Sequence, residues 1–275
     1  MGSKPSKAER PASAKVKTVV VPQDVINEIL DQLATCSDFG SLRACSLVSK
    51  SWVPSSRKHL FRTVFFTSRR VKRWFETFPS PEKSPAHHVR DLRIRIGGHH
   101  FVPLTFFECI PQFTNAEKIS LLGPEPGGIP QVQLPSPWIP PPSVTSLRIE
   151  TDMFTLMEIR DFIAVLPNLD DLSLSGHIGM DSRELLGIGT SLAGRVRFGG
   201  KLVLRDVRHA TKDVMGMLLE IPTGLWFTEV QIHSTRGCLP SVVRLVEACC
   251  KTLVKLSYTV SIPGKSRSFS WSGWV

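Results

Sequence analysis

The chain has 275 residues, of which 41% are hydrophobic and 21% are charged, as in ordinary globular proteins. No run of eighteen apolar residues occurs, and the first residues are not a basic stretch followed by a hydrophobic one, so we expect neither a membrane span nor a secretory signal. Six irregularly spaced cysteines without a C-x-x-C pair favour free thiols in a reducing compartment. We therefore expect a cytoplasmic protein, a nuclear protein, or both.

The net charge of +10 is concentrated in two short segments. Residues 1–18 have a net charge of +4, and Arg69, Arg70, Lys72 and Arg73 contribute another +4. A dedicated duplex-binding domain would instead spread basic residues over one face. Nucleic acid is therefore not the expected partner, although a basic nuclear or nucleic-acid-binding scaffold stays open as an alternative.

The N-terminal region predicts a basic arm followed by a helix with two apolar flanks. Residues 1–18 are rich in Lys, Ser, Ala and Pro and predict a disordered arm. Pro22 suits a first helical turn, and Asp24 complements the helix dipole. The apolar positions that follow are Val25, Ile26, Ile29, Leu30 and Leu33. An arc this wide predicts that one flank packs within the domain and the other against something else.

Two further helices follow the first. Asp38 or Ser41 can cap a second helix that carries apolar residues from Leu42 onwards, and Pro54 marks the start of a third helix that runs to about Phe61. Together they predict a three-helix unit of roughly 45 residues, a size at which a lone core is marginal and a partner is often needed.

Three runs within this unit resemble the F-box motif. They are Val21–Leu33 (VPQDVINEILDQL), Leu42–Trp52 (LRACSLVSKSW) and His59–Arg62 (HLFR). The motif begins with a hydrophobic residue and Pro, and continues through the Cys-Ser-Leu-Val-Ser run into a third helix. Val21 stands where the family more often has Leu, and the loop from Thr35 to Gly40 lacks the family's common second Pro. The resemblance assigns residues 19–66 to an F-box domain.

The resemblance implies a non-catalytic role. An F-box binds the small Skp-type adaptor of a cullin ubiquitin ligase, so the chain would be a substrate-recognition subunit that brings a target protein to the ligase. The residues expected to bind the adaptor, or to shape that surface, are Pro22, Val25, Ile29, Leu33, Leu42, Val48 and Trp52. Trp52 fits a core position of the box equally well. An F-box protein that acts without ubiquitination is a further alternative.

Residues 67–85 predict an amphipathic helix and a linker. Ser68 can cap the helix, and its apolar stripe comprises Val71, Trp74, Phe75 and Phe78. The four basic residues from Arg69 to Arg73 then form its other side, which we interpret as solvated, with a nuclear-localisation or phosphate-binding patch as the alternative. The segment from Pro79 to Pro85, with its three prolines, predicts the linker.

Residues 86–275 contain a repeat of short apolar-x-apolar cores. These cores are Leu92/Ile94, Ile119/Leu121, Leu147/Ile149, Leu172/Leu174, Leu202/Leu204, Val230/Ile232 and Leu256/Tyr258. They recur at a near-constant interval, close to the upper end of leucine-rich-repeat periods. Leu166–Leu174 is similar to the leucine-rich-repeat phrase LPNLxxLxL. Helical patterns occupy two connections, one opening with a Thr155/Glu158 capping box and one running from Leu239 to Leu253.

The repeat predicts an irregular leucine-rich-repeat-like α/β solenoid with a parallel sheet, interrupted by a Pro-rich insertion from Pro124 to Pro142. Its apolar pairs point inward, and the residues between and beside them lie on the exposed sheet face. The residues of that face that we expect to bind a substrate protein are Arg93, Arg148, Glu150, Ser173, Lys201, Arg205 and Gln231; Arg95, Lys118, Ser120, Asp171 and His233 share the face. The final run, Ser270–Val275, is either the cap of the solenoid or the point at which a longer domain is truncated.

Motifs for catalysis and metal binding fail on spacing. The pairs His87–His88, His99–His100 and Cys249–Cys250 are adjacent rather than one helical turn apart. The glycine-rich run from Gly194 to Lys201 lacks the P-loop spacing, and Ser191 lacks the second glycine of a nucleophile elbow. We therefore expect no metal, no cofactor and no enzymatic activity.

Overall fold

The computed structural model describes residues 21–96, 109–123, 140–150, 154–176, 178, 198–205, 207, 211–221, 224–234, 236–262 and 265–272. The predicted arm of residues 1–18, the His99–His100 pair and most of the Pro-rich insertion lie outside this part of the chain. The chain divides after His59 into two compact units, here called the first and second unit.

The first unit contains three helices, α1 (Gln23–Thr35), α2 (Phe39–Val48) and α3 (Val53–Leu60). Of the two predicted caps for α2, the structure uses Asp38, whose carboxylate accepts a hydrogen bond from the Ser41 backbone N–H at 3.0 Å. The hydrogen bonds from Ser41 lower the pKa of Asp38. Ile26, Leu30 and Leu42 are the buried apolar residues of these helices.

Polar contacts connect α3 to α1. His59 Nε2 lies 3.0 Å from Asp31 Oδ1, and the Ser55 hydroxyl donates to Asn27 Oδ1 at 2.7 Å. These contacts join side chains 28 residues apart along the chain, so they fix how the third helix lies along the first. The described part of this unit therefore combines a small apolar core with a polar seam.

The second unit is built on a nine-stranded sheet whose strands follow one another in chain order. The strands are β1 (Thr63–Phe66), β2 (Asp91–Arg95), β3 (Lys118–Leu122), β4 (Ser146–Glu150), β5 (Asp171–Ser175), β6 (Lys201–Arg205), β7 (Glu229–Ser234), β8 (Lys255–Ile262) and β9 (Lys265–Ser272). Strands β1 to β8 are parallel, and β9 is antiparallel to β8. The fold is thus mixed α/β with a mostly parallel sheet.

Four α-helices of the second unit are described: α4 (Ser68–Thr77), α5 (Leu156–Ala164), α6 (Thr211–Leu219) and α7 (Leu239–Cys249). The predicted capping box is present at α5, where the Thr155 hydroxyl accepts from the Glu158 N–H and the Glu158 carboxylate accepts from the Thr155 N–H. In α7, Val242, Leu245 and Cys249 are buried, and burial raises the pKa of the Cys249 thiol to about 11.

All seven predicted apolar-x-apolar cores lie in strands, and they lie in register. Leu92 pairs with Ile119, which pairs with Leu147, and the same row continues through Leu172, Leu202, Val230 and Leu256. Parallel pairing of these positions puts every apolar pair on one face, because side chains alternate along a strand. The predicted strands are therefore confirmed.

The sheet begins one strand earlier than the predicted repeat. Val64 in β1 pairs with Leu92, and Phe66 pairs with Ile94, so the apolar-x-apolar row extends into the range that the sequence assigned to the N-terminal module. Trp74 of α4 packs edge-on against Phe66, with ring centroids 5.4 Å apart. Ser84 and Pro85 are buried. The helix and the segment expected to be a linker are thus packed parts of the second unit, because their apolar side chains cover the first strands.

One backbone arrangement recurs where the strands start. The N–H groups of Arg90 and Asp91 both donate to the Arg62 carbonyl, at 2.8 and 2.9 Å, and those of Glu117 and Lys118 both donate to the Arg90 carbonyl. The same pairing occurs at the starts of β4, β5, β7 and β8. Because two successive donors share one acceptor, each strand can start at only one position relative to the strand before it.

Polar side chains add further bonds three positions before several strands. The Asn115 amide donates to the His87 carbonyl at 2.7 Å, and the Asn168 amide donates to the Pro142 carbonyl at 3.0 Å. Ser143 and Thr252 donate to carbonyls from the equivalent position. Each of these bonds links the segment before a strand to a backbone carbonyl of the preceding connection.

Strand β6 departs from the shared-carbonyl arrangement. The Lys201 N–H donates to the Asp171 side-chain carboxylate at 2.8 Å, while the Gly200 N–H donates to the Asp170 carbonyl at 3.2 Å. A Cβ at Gly200 would collide with Asp171 Oδ1 and lie 3.2 Å from the Asp170 carbonyl oxygen. Glycine is needed here because the backbone approaches the neighbouring strand closely.

We predict opposite effects of the same substitution at two glycines. Gly200→Ala should destabilise the second unit by about 1–3 kcal/mol, because the carboxylate that accepts from Lys201 must move. Gly216→Ala, inside α6 with nothing within 4 Å of the new Cβ, should stabilise it by about 0.5–1 kcal/mol through helix propensity. Denaturant unfolding followed by circular dichroism measures both changes. Equal effects of the two substitutions would contradict this account of β6.

Candidate functional site

The first unit exposes a set of apolar side chains, here called the apolar helix face. Its members are Val21, Val25, Ile29, Phe39, Leu47 and Val48. Leu47 is 87% exposed and Val48 is 66% exposed, which leaves both side chains mostly in water. A single exposed apolar residue is ordinary, whereas several on one small helical unit are typical of a surface that another molecule covers.

The two flanks of α1 explain how this face arises. Ile26 and Leu30 are buried, whereas Val25 and Ile29, each one position earlier, are 45% and 40% exposed. The two residues of each pair are four positions apart, so they lie on the same stripe of the helix. The exposed pair is one position earlier than the buried pair, which turns its stripe by about 100° around the helix. The helix therefore contributes one stripe to its own core and presents the other outward, as the sequence predicted.

The structure places the predicted adaptor-binding residues in three classes. Pro22, Val25, Ile29 and Val48 are exposed, and Leu33 and Trp52 are half-buried. Leu42 is fully buried, so of its two expected roles, binding the adaptor or shaping the surface, only the second fits its position. Sequence reasoning missed Phe39 and Leu47 as site residues, although both are large apolar residues close to Leu42 and Val48 in the sequence.

We predict that core and face residues of α2 differ in their effect on stability. Leu42→Ala should destabilise the first unit by about 2–5 kcal/mol, because it empties a buried position. Val48→Asp should change stability by less than about 0.5 kcal/mol, because the side chain is mostly in water. Amide hydrogen exchange of α1 in the full chain reports both changes. Fast exchange in Val48→Asp would show that this residue belongs to the core.

The exposed face of the sheet carries a groove of about 330 Å³ across β2 to β6. Five of the seven predicted substrate-binding residues line it: Arg93, Arg148, Glu150, Ser173 and Lys201. Arg205 is exposed at the end of β6 outside the lining, and the Gln231 amide donates to Glu229 at 2.7 Å. Of the other lining residues, sequence reasoning placed three on the same face without assigning them to the substrate site, namely Lys118, Ser120 and Asp171. It missed Asp91, Leu122, Ser146, Leu172 and Val203.

Ion pairs within single strands hold the two arginines of the groove. Arg93 donates to one oxygen of Asp91 through Nε at 3.0 Å and through Nη2 at 2.7 Å, and this hydrogen bonding raises the pKa of Arg93. Arg148 pairs with Glu150. Each pair links residues two positions apart on one strand, whose side chains share a face. The arginines are therefore oriented before any ligand arrives.

Opposite charges lie side by side at the first positions of several neighbouring strands. Asp91 is the register neighbour of Lys118 on β2 and β3, although their side chains form no ion pair in the described structure. At the other end, Glu229 lies 3.2 Å from Lys201 and 2.9 Å from Lys255, so it bridges two neighbouring strands. Opposite charges on adjacent strands stabilise the pairing. Hydrogen bonding from Lys255, with smaller contributions from Gln231 and Lys201, lowers the pKa of Glu229.

We predict a pH-dependent loss of stability on replacing Glu229. Because its folded pKa is lowered, the ionised carboxylate stabilises the fold above the ordinary glutamate pKa, and that contribution disappears as the pH falls towards the lowered value. Glu229→Gln should therefore be less stable than the wild type at pH 7, by about 0.5–1 kcal/mol for this partly exposed pair, and the difference should shrink in acid. Thermal unfolding between pH 7 and pH 3 measures it. Glu220→Gln, at an exposed position without an ion pair in the described structure, is the control, and the same loss there would contradict the assignment.

The basic residues of α4 lie on its exposed side. Arg69, Lys72 and Arg73 are exposed, and Lys72 lies 3.9 Å from Glu76. Arg70 stacks on the Phe65 ring at 5.4 Å and donates to the Phe65 carbonyl at 3.3 Å. This arrangement agrees with the interpretation of a solvated helix side.

Within the described ranges, no group of three or more His, Cys, Asp or Glu residues could hold a metal ion. No described helix has the length and apolar character needed to cross a bilayer. No protein-family model, no curated protein and no solved structure matches this chain.

Proposed function

We propose that this protein is the substrate-recognition subunit of a Skp–cullin–F-box ubiquitin ligase. In this proposal the first unit is an F-box that binds the Skp-type adaptor, and the second unit holds the protein to be ubiquitinated. The observation that carries the proposal is the apolar helix face, together with the order of the VPQDVINEILDQL and LRACSLVSKSW runs, which contain five of its six residues.

The apolar helix face supports binding to a protein rather than to a small ligand. Its six side chains lie on α1, on α2 and beside them, so they present a surface and not a closed pocket. Covering each half-exposed Val, Ile or Leu removes apolar area from water and favours association by about 1 kcal/mol. Large apolar side chains at the centre of an interface commonly supply much of its binding energy.

We also propose that the second unit is an irregular leucine-rich-repeat-like solenoid. Its support is the near-constant interval between apolar cores that pair in one row, with helices in several connections. Such a solenoid presents its sheet as an extended binding surface. The groove across β2 to β6 then becomes the place for a segment of the substrate protein.

The proposed mechanism is a gain in effective concentration. A protein held on the second unit and a ligase core held on the first are tethered to one chain, so an encounter between them becomes effectively intramolecular. Positioning alone can accelerate a reaction between bound groups, which is consistent with a chain that performs no chemistry itself.

We predict that charge on the apolar helix face abolishes adaptor binding. The intact chain should co-purify with a Skp-type adaptor and recruit the cullin through it, whereas Val48→Asp should weaken adaptor binding at least about 100-fold by burying an unpaired carboxylate. Val243→Asp is the matched control, since Val243 is a 48% exposed helical valine of the second unit, and it should bind within about twofold of the wild type.

Three outcomes of this experiment distinguish the proposed function from its alternatives. The proposal would be overturned if the intact chain, with its α1 amides protected from hydrogen exchange, did not bind the adaptor. Equal loss in both valine variants would show that the apolar helix face is not the docking surface. Adaptor binding without cullin recruitment would favour a role outside ubiquitination.

A further inference from the structure

The middle residues of the strands form a row of long and short side chains on the exposed sheet face. In the register of the sheet, Arg93 lies beside Ser120, and Ser120 lies beside Arg148. The row continues through Ser173 and Val203. A short side chain between two long ones leaves a depression, here called the Ser120 notch, with Lys118 and Leu122 at its two ends on the same strand.

The dimensions of the Ser120 notch suit one small side-chain group. Neighbouring strands are about 4.8 Å apart, so the backbones that carry Arg93 and Arg148 are separated by about 10 Å across β3. Ser120 is only 8% exposed although it belongs to the solvent-facing row, because it forms the floor between the arginines. Two arginine side chains can contact one planar group placed between them.

The polar groups of the notch are oriented but not all satisfied within the described structure. The Ser120 hydroxyl has no hydrogen-bond partner there, and the Lys118 ammonium has no ion pair there, although both line the groove. The Ser120 side chain lines the open groove, where its hydroxyl can donate to or accept from an external polar group. Arg93 and Arg148 remain half exposed after pairing with their acids.

The charge of the lining selects the kind of group. Four cationic and three acidic side chains line the groove, and Lys118 is the cation without a partner in the described ranges. One uncompensated positive charge complements a single negative charge. A doubly charged phosphate would place excess charge near Asp91 and Glu150, which line the same groove, so the balance favours a carboxylate.

We propose that the Ser120 notch is a carboxylate-binding subsite that takes an aspartate or glutamate side chain from an extended segment of the partner protein. The carboxylate accepts from Lys118, from the free N–H groups of Arg93 and Arg148, and from the Ser120 hydroxyl. The groove continues over Ser173 and Val203, about 14 Å further along the sheet, which accommodates about four more extended residues. This assignment rests on the proposed function only in taking a protein segment as the occupant.

The test uses the full chain, labelled with ¹⁵N, and Gly/Ser peptides that differ at one central residue. At low salt, a peptide with a central glutamate should shift the Ser120 amide resonance and bind at least tenfold more tightly than its glutamine counterpart. Lys118→Glu should reverse the preference in favour of a lysine peptide, because the charge of the notch changes sign. Lys251→Glu, which makes the same change in net charge at an exposed turn, should keep the glutamate preference.

A second pair of variants tests the shape of the notch. Ser120→Val fills the depression with a residue that strands favour and should abolish binding of the glutamate peptide. Ser257→Val makes the same change in the equivalent row of β8 and should leave binding unchanged.

Three results would overturn the assignment. They are equal binding of the glutamate and glutamine peptides, equal losses in the two lysine variants, and a phosphoserine peptide that binds tenfold more tightly than the glutamate peptide. The measurement involves no ligase component, so its failure is separable from a failure of adaptor binding. Val48→Asp should leave peptide binding intact while it abolishes adaptor binding.

Discussion

The second unit depends on one constraint: two successive backbone N–H groups share the carbonyl of the residue just before the preceding strand. Arg90 and Asp91 donate together to Arg62, and the arrangement recurs at most of the parallel strands. A shift of one position would break both bonds and would turn every side chain of that strand to the other face. The register is thus fixed where each strand starts.

A fixed register sorts the side chains between two environments. The row from Leu92 to Leu256 becomes the inner face, and the row from Arg93 to Val203 becomes the outer face. Because the outer row is aligned across strands, two arginines that belong to different repeats can flank one serine. A groove with defined charge positions then follows from a backbone pattern and from the choice of residue at each middle position.

The exception at β6 shows that the pattern tolerates variation. The Asp171 carboxylate replaces a backbone acceptor there, and the pair Leu202/Leu204 still joins the common row.

Most of the sheet could be predicted from the sequence, because two signals agree. Alternating apolar residues indicate a strand, and their recurrence at a near-constant interval indicates that the strands stack. The same signal is present for β1, since the interval from Val64 to Leu92 matches those between the later cores, but the F-box resemblance assigns that range to another module. Strand β9 escaped prediction because its alternation of Ser with Arg267, Phe269 and Trp271 follows a hairpin rather than the repeat interval.

The candidate sites were less predictable than the sheet. The local pattern indicates which face a residue occupies, whereas the availability of its side chain to a ligand depends on contacts that form only after folding. Lys118, for example, is left unpaired within the described structure because Asp91 bonds to Arg93 instead.

In the first unit, the exposed apolar side chains that a partner could bind also limit the stability of the unit. Its described part buries three large apolar residues and leaves six others exposed. A core of that size contributes little beyond the entropy lost on folding, so such a unit is marginal on its own. A partner that binds only the folded form stabilises it by mass action, to an extent set by the partner's concentration relative to its Kd. The same exposed valines and leucines that leave the isolated unit marginal are those from which a bound partner would gain affinity. Substitutions that improve its solubility by placing charge on the apolar helix face should therefore remove binding before they remove the helices.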